Sequence, residues 1–159
     1  MKKAQSGFTL IELVIVIVIL GLLAATALPR FASISDQARN AALAGVAGGF
    51  RSAVAITHAQ WLATGQTGAG NITLQDGTSV EMNASGWPDL SATQNSTQLF
   101  NNIMSQPLAS MTGWSNTPAT TATTATYTLA GTAGVSGGFF TYTEANGSVA
   151  CSVANGTTC

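Results

Sequence analysis

Residues 7–29 read GFTLIELVIVIVILGLLAATALP, a long apolar run interrupted by one acid. From Phe8 to Leu28 every residue is apolar or small except Thr9, Glu12 and Thr26. A run of about 20 such residues is long enough to cross the hydrocarbon core of a bilayer. A lone segment in lipid can satisfy its backbone only as a helix, so this feature commits the start of the chain to helix. Thr9 is easily tolerated there, but a charged side chain at mid-span costs about 2.5–3.5 kcal/mol to insert. Near the end of the run the cost is smaller, because the side chain can reach toward the interface. Glu12 therefore needs a reason.

Lys2 and Lys3 supply a basic start and by the positive-inside rule should stay in the cytoplasm, placing the rest of the chain outside. An ordinary secretory signal has a shorter apolar core followed by a small-residue cleavage site. The run ends in AATALP, where Ala25 and Ala27 weakly imitate such a site, so cleavage there is the competing reading. Gly7, however, stands directly before Phe8, and GFTLIE places an acid five residues into the run. This pattern resembles the processing site of type IV prepilins. The resemblance implies that a prepilin peptidase cuts between Gly7 and Phe8 on the cytoplasmic side and N-methylates Phe8. It also identifies Gly21 and Pro29 with the family's helix-weakening glycine and kinking proline.

Such a cut removes Lys2 and Lys3 but keeps the apolar run, so the product remains a membrane protein. The resemblance implies that Glu12 then meets the new terminal ammonium of Phe8 in a neighbouring subunit. Once water is excluded, losing one partner of such a pair strands the other at about 3–5 kcal/mol. Glu12 is thus expected to set the register of assembly; the alternative is a snorkelling carboxylate with no partner.

Beyond Pro29 the chain keeps a helical rhythm. Phe31, Ile34, Ala38, Ala41, Gly45, Gly49, Ala53 and Ile56 form one stripe, and Leu43, Val46, Phe50, Val54, Thr57 and Trp61 form an adjoining one. Gly65 is a stop signal. One helix from Phe8 to about Leu62 is expected, roughly 80 Å long. Gly48 and Gly49 each cost such a helix about 1 kcal/mol against alanine, which close packing against a sheet or a second copy would explain.

The remainder is rich in Gly, Ala, Ser, Thr and Asn. The low net charge of the whole chain (−1) and the aromatics Trp87, Phe100, Trp114, Tyr127, Phe139, Phe140 and Tyr142 mark it as folded. Asp76-Gly77 between 72–74 and 78–82 predicts a hairpin. A short helix is expected from Ser96, burying Leu99, Phe100, Ile103 and Met104. Strands are expected at 125–130, within GGFFTYT and at SVACSV, the last two joined by a turn at EANGS. The fold class is therefore α+β: a long N-terminal helix packed on a small antiparallel sheet. The expected organisation is a leader at 1–7, a membrane and assembly helix at 8–29, its amphipathic continuation at 30–64, and a head at 65–159. Cys151 and Cys159, with too few neighbouring ligands for a metal, are expected to pair in an oxidising compartment. The bridge would contribute roughly 2.5 kcal/mol in the chain-entropy picture.

An enzyme reading finds little to stand on. His58 is the only histidine, Asp76, Glu81 and Asp89 are too scattered for a calcium loop, and no P-loop or Gly-x-Ser-x-Gly occurs. No cofactor or metal is expected. The Asn-x-Ser/Thr triplets at Asn71, Asn83, Asn95, Asn146 and Asn155 follow from composition. After the expected cut, Arg30, Arg39 and Arg51 face six acids, too little positive charge for direct nucleic-acid binding.

PRFASISDQARNAALAGVAGGF, residues 29–50, is similar to the pilins of the mannose-sensitive haemagglutinin (MSHA) system. That resemblance implies a fibre subunit for cell adhesion and biofilm formation. Its partners would be further pilin subunits, prepilin peptidase and the inner-membrane assembly machinery. The precursor would sit in the inner membrane of a Gram-negative bacterium and the product in an extracellular pilus. A pseudopilin of a type II secretion system, or a minor tip pilin acting as adhesin or DNA receptor, are the alternatives.

Overall fold

A computed structural model describes residues 8–117, 123–131, 137–153 and 158–159, with the side chains of residues 32 and 33 excepted. Helix α1 (Leu10–Ala63) is followed by strands β1 (Gly70–Thr73) and β2 (Ser79–Met82), helix α2 (Ser96–Ile103) and a 3-10 turn (Leu108–Ser110). Strands β3 (Trp114–Asn116), β4 (Thr124–Leu129), β5 (Phe139–Thr143) and β6 (Ser148–Ser152) complete the order. The chain divides into two compact units, the first ending at Arg39 and the second running from Asn40 to Cys159.

In the second unit α1 buries one stripe: Leu43, Ala47, Phe50, Val54, Thr57 and Trp61, at alternating spacings of four and three. Of the two stripes visible in the sequence, this second one meets the core. Ala41, Gly45, Gly49 and Ile56 of the first are exposed. The reason is size: the core-facing stripe holds Phe50 and Trp61, while the other is mostly alanine and glycine. Thr57 is buried without penalty because its hydroxyl donates to the carbonyl of Val54 at 2.8 Å. Helix α1 stops after Ala63, where Gly65 takes φ +68° and its N–H bonds the Leu62 carbonyl at 3.1 Å.

Opposite this stripe lies an antiparallel sheet in the order β3-β4-β5-β6. Alternation along the strands points Ala125, Tyr127, Phe140, Tyr142, Val149 and Cys151 inward. Register aligns Tyr127 with Phe140 and Phe140 with Cys151. Phe50 sits at the centre, its ring 5.2 Å from Tyr127, 5.3 Å from Phe140, and 5.7 Å from both Phe100 and Tyr142. Both tyrosines bring a polar tip into this core and satisfy it. Tyr127 donates to the Ser96 carbonyl at 2.7 Å and Tyr142 to the Pro88 carbonyl at 2.6 Å, while burial pushes both hydroxyl pKa values far up.

The expected hairpin is present as a separate two-stranded sheet, β1 with β2. Gly77, at φ +86°, makes its turn. Helix α2 starts at Ser96 as expected, with Asn95 and Gln98 capping reciprocally at 3.0 Å each. Leu99 and Phe100 are buried and Ile103 and Met104 partly so. Strand β3 is an addition to the sequence reading. WSN is too short to show alternation, and its place is set by neighbours: the Asn116 side chain donates to the Ser96 and Thr97 hydroxyls at 2.8 and 2.9 Å.

Of the two reasons expected for Gly48 and Gly49, contact with the sheet is not found. A Cβ at Gly49 would meet only Met104 Cε at 3.6 Å, and one at Gly48 nothing within 4 Å, so the sheet is not what these glycines accommodate. Close approach occurs elsewhere: the Trp61 ring lies over Gly86 and the Trp87 ring over Gly147, where a Cβ would fall 2.3 and 2.1 Å from ring carbons.

The two stripes separate in a simple test. Phe50→Ala should lower unfolding stability by about 3–5 kcal/mol, whereas Ile56→Ala should stay within about 0.5 kcal/mol. Urea unfolding of the full chain in detergent, followed by tryptophan fluorescence, reads both.

Candidate functional site

In the first unit the apolar side chains have no protein cover. Phe8, Leu10 and every large apolar residue from Ile11 to Leu23 are exposed, as are Leu28, Phe31 and Ile34. By length and composition this part of α1 can cross a membrane. Phe8, Glu12 and Val16, four positions apart, line a shallow groove of about 560 Å³ together with Leu13 and Ile15. The groove is apolar except where it meets the Glu12 carboxylate.

That carboxylate has a partner within its own chain. Glu12 Oε2 accepts from the Thr9 N–H at 2.8 Å and from the Thr9 hydroxyl at 2.7 Å, and the Glu12 N–H reaches Thr9 Oγ1 at 3.3 Å. This is a capping box, in which two otherwise unpaired N–H groups of the first turn are satisfied reciprocally. Sequence reading took Thr9 as merely tolerated and Glu12 as either waiting for a neighbour or unpartnered. The signal that reveals the pair, Thr-x-x-Glu at the start of an apolar run, was present. Oε1 takes part in neither bond.

The other expected residues fall as follows. Gly7, on one side of the expected cut, lies outside the described residues, as does the leader. A Cβ at Gly21 would meet nothing within 4 Å. Helix α1 runs through Pro29, whose ring nitrogen cannot donate to the Ala25 carbonyl. Cys151 and Cys159 are bonded, with Cα atoms 5.4 Å apart, and the Cys159 N–H reaches the Cys151 carbonyl at 3.4 Å. His58 is structural: its ring stacks on Trp87 at 3.8 Å and Nδ1 lies 2.6 Å from the Gly86 carbonyl. Among the described residues no group of three or more His, Cys, Asp or Glu could hold a metal.

A polar hollow of about 280 Å³ lies beside β1, β2 and α2, with Asn71, Ser79, Glu81, Gln98 and Asn102 in its lining. Its polar atoms largely engage one another. Hydroxyls of Ser91 and Thr93 donate to the Glu81 carboxylate at 2.5 and 2.6 Å and hold its pKa below the ordinary value. The buried Gln94 side chain ties the Glu81 N–H and carbonyl to the Asp89 carbonyl.

Residues 2–28 match the family model described as the prokaryotic N-terminal methylation motif. The chain carries that methylation motif. The type IV narrow pilus major component PilA5 of Thermus thermophilus is 56% identical over 54 residues, 34% of this chain and 47% of that protein. The type II secretion system core protein G of Pseudomonas aeruginosa is 55% identical over 38 residues, 24% of this chain and 27% of that protein. A fimbrial protein of Neisseria meningitidis is 44% identical over 64 residues, 38% of each chain. The match thus spans less than half the length of each relative. No solved structure matches. The similarity to pilins thus covers part of the chain, and the architecture, a long helix packed against small antiparallel sheets, is a pilin-like α+β fold.

Two predictions follow from these contacts. Thr9→Val should remove the cap, loosening the first turn by about 0.5–2 kcal/mol; hydrogen exchange at the Ile11–Leu13 amides in micelles should quicken, and Thr9→Ser should restore it. Glu81 contributes stability above the unfolded glutamate pKa of about 4.3, lost as pH falls through its lower folded value. Combining Ser91→Ala with Thr93→Val should move its titration upward in carbon-detected NMR.

Proposed function

We propose that the chain is the structural subunit of a type IV pilus, assembling through its N-terminal helix into a surface fibre. The observation that carries this reading is an uncovered apolar rod joined to a folded head, with a single acid at the rod's start. A patch of this size calls for lipid before assembly and for other copies after it. Prepilin peptidase cuts between Gly7 and Phe8 and methylates Phe8. The segments are a leader at 1–7, an assembly helix at 8–29, a continuation at 30–64 and a head at 65–159.

In this reading Thr9 satisfies Glu12 while the subunit waits in the inner membrane. On assembly the Phe8 ammonium of a neighbouring copy approaches Glu12, with Oε1 as the oxygen that Thr9 does not occupy, and this pairing selects the register. Gly21 and Pro29 are the points where α1 can unwind as subunits pack. The narrower likeness of residues 29–50 to MSHA pilins supports attachment to surfaces and biofilm formation as the fibre's use. A second reading, a pseudopilin of a type II secretion system, is favoured by the similarity to core protein G.

Shearing cells and identifying the protein in the detached material tests the choice. This chain should form the bulk of long extracellular fibres; a protein confined to the cell envelope would favour the secretion reading. Glu12→Leu should cut fibre yield by about tenfold or more, since even 1.4 kcal/mol lost at an interface is a factor of ten.

A further inference from the structure

Two carboxyl groups from distant parts of the head converge on one N–H. The Leu90 amide donates to Asp89 Oδ1 at 3.0 Å and to Glu144 Oε2 at 2.9 Å. The main chain of each acid is anchored on both sides. Asp89 is fixed by its N–H to the Glu81 carbonyl at 2.9 Å, and by its own carbonyl to the Gln94 amide at 2.9 Å. Glu144 is fixed by its N–H to the Thr123 carbonyl at 3.1 Å, and by its carbonyl to the Asn83 amide at 2.8 Å. Tyr142 closes the same junction through its bond to Pro88.

The surroundings offer no basic side chain to reconcile two negative charges. Arg51 is the only Lys or Arg from Asn40 onward, and its guanidinium on α1 donates to the Val149 carbonyl at 2.7 Å. His58, also on α1, is held by Gly86 and Trp87. Glu81 on β2 has its carboxylate engaged by Ser91 and Thr93, and Tyr142 on β5 is a donor to Pro88. Like charges this close raise the cost of ionising both.

We propose that Asp89 and Glu144 share one proton, forming a pH-dependent clasp between the 83–90 segment and the end of β5. Burial first, and then the hydrogen bond and charge of Asp89, raise the Glu144 pKa above its ordinary value, against the opposing pull of the Leu90 N–H. A group raised in the folded state gives its full stabilisation below the unfolded pKa and loses it as pH rises through the folded one. The clasp is therefore closed in mildly acid medium and loosened above it. The inference concerns the head alone and holds whether the chain builds a pilus or a secretion fibre.

Glu144→Gln supplies the test, because a glutamine amide can donate permanently to Asp89 while its oxygen accepts from Leu90. The full chain in detergent, with EDTA present so that no divalent cation replaces the proton, is unfolded in urea at pH values from 4.5 to 8.5. Tryptophan fluorescence follows it, with Trp87 close to the clasp. The wild type should lose stability relative to Glu144→Gln as pH rises, by up to about tenfold in the unfolding constant per pH unit within the window. Asp89→Asn should remove the same pH dependence and serves if Glu144→Gln does not fold. Carbon-detected NMR of the wild type should show the Glu144 carboxyl titrating above the ordinary glutamate range. A wild-type to variant ratio that stays flat with pH, or a Glu144 carboxyl titrating at its ordinary value, would overturn the proposal.

Discussion

Burial of apolar surface along one helix sets the terms for everything else in this chain. From Leu43 to Trp61 the protein covers the apolar stripe of α1 with its own sheet and second helix. From Leu10 to Leu23 it covers none of it. Water is a poor solvent for the second stretch, so the same helix that organises the folded head calls for lipid or other chains at its start. The hydrogen bonds of α1 close within the helix either way, which is what allows one element to serve two environments.

Glu12 gains its meaning from that arrangement. In a water-covered helix a Thr-x-x-Glu cap is an ordinary way to satisfy the first turn. At the end of a lipid-length run it also keeps a carboxylate hydrogen-bonded where an unpaired one is costly. One oxygen is committed to Thr9 and the other is not, so the group can stay in its own helix and still answer a cation outside it. The head shows the same economy of charge: few ionisable groups, each held by hydroxyls, amides or a proton in place of opposite charges.

Periodicity made much of this readable beforehand. The spacing from Leu43 to Trp61, the Asp76-Gly77 turn, the start of α2 at Ser96 and the strands carrying Tyr127, Phe140 and Val149 all follow from local pattern. Local pattern could not say which of two adjoining stripes met the sheet, because both repeat at helical spacing and only side-chain volume separates them. Strand β3 was hidden because three residues carry no period, and its position depends on Ser96 and Thr97 bonding Asn116. The convergence of Asp89 and Glu144 was equally out of reach, since they stand 55 positions apart in the chain and no spacing rule connects a loop to a distant strand end. Thr9 differs from these: Thr-x-x-Glu at the start of an apolar run is a legible cap, and the structure forms it.

The central claim is that processing leaves the apolar rod attached and that the rod joins one copy to the next. Mass spectrometry of the mature protein's N-terminal peptide tests it most directly. A chain beginning with N-methylated Phe8 and retaining Thr9 to Leu28 is the predicted result. A mature chain beginning at Leu28, recovered as a freely soluble monomer, would contradict it.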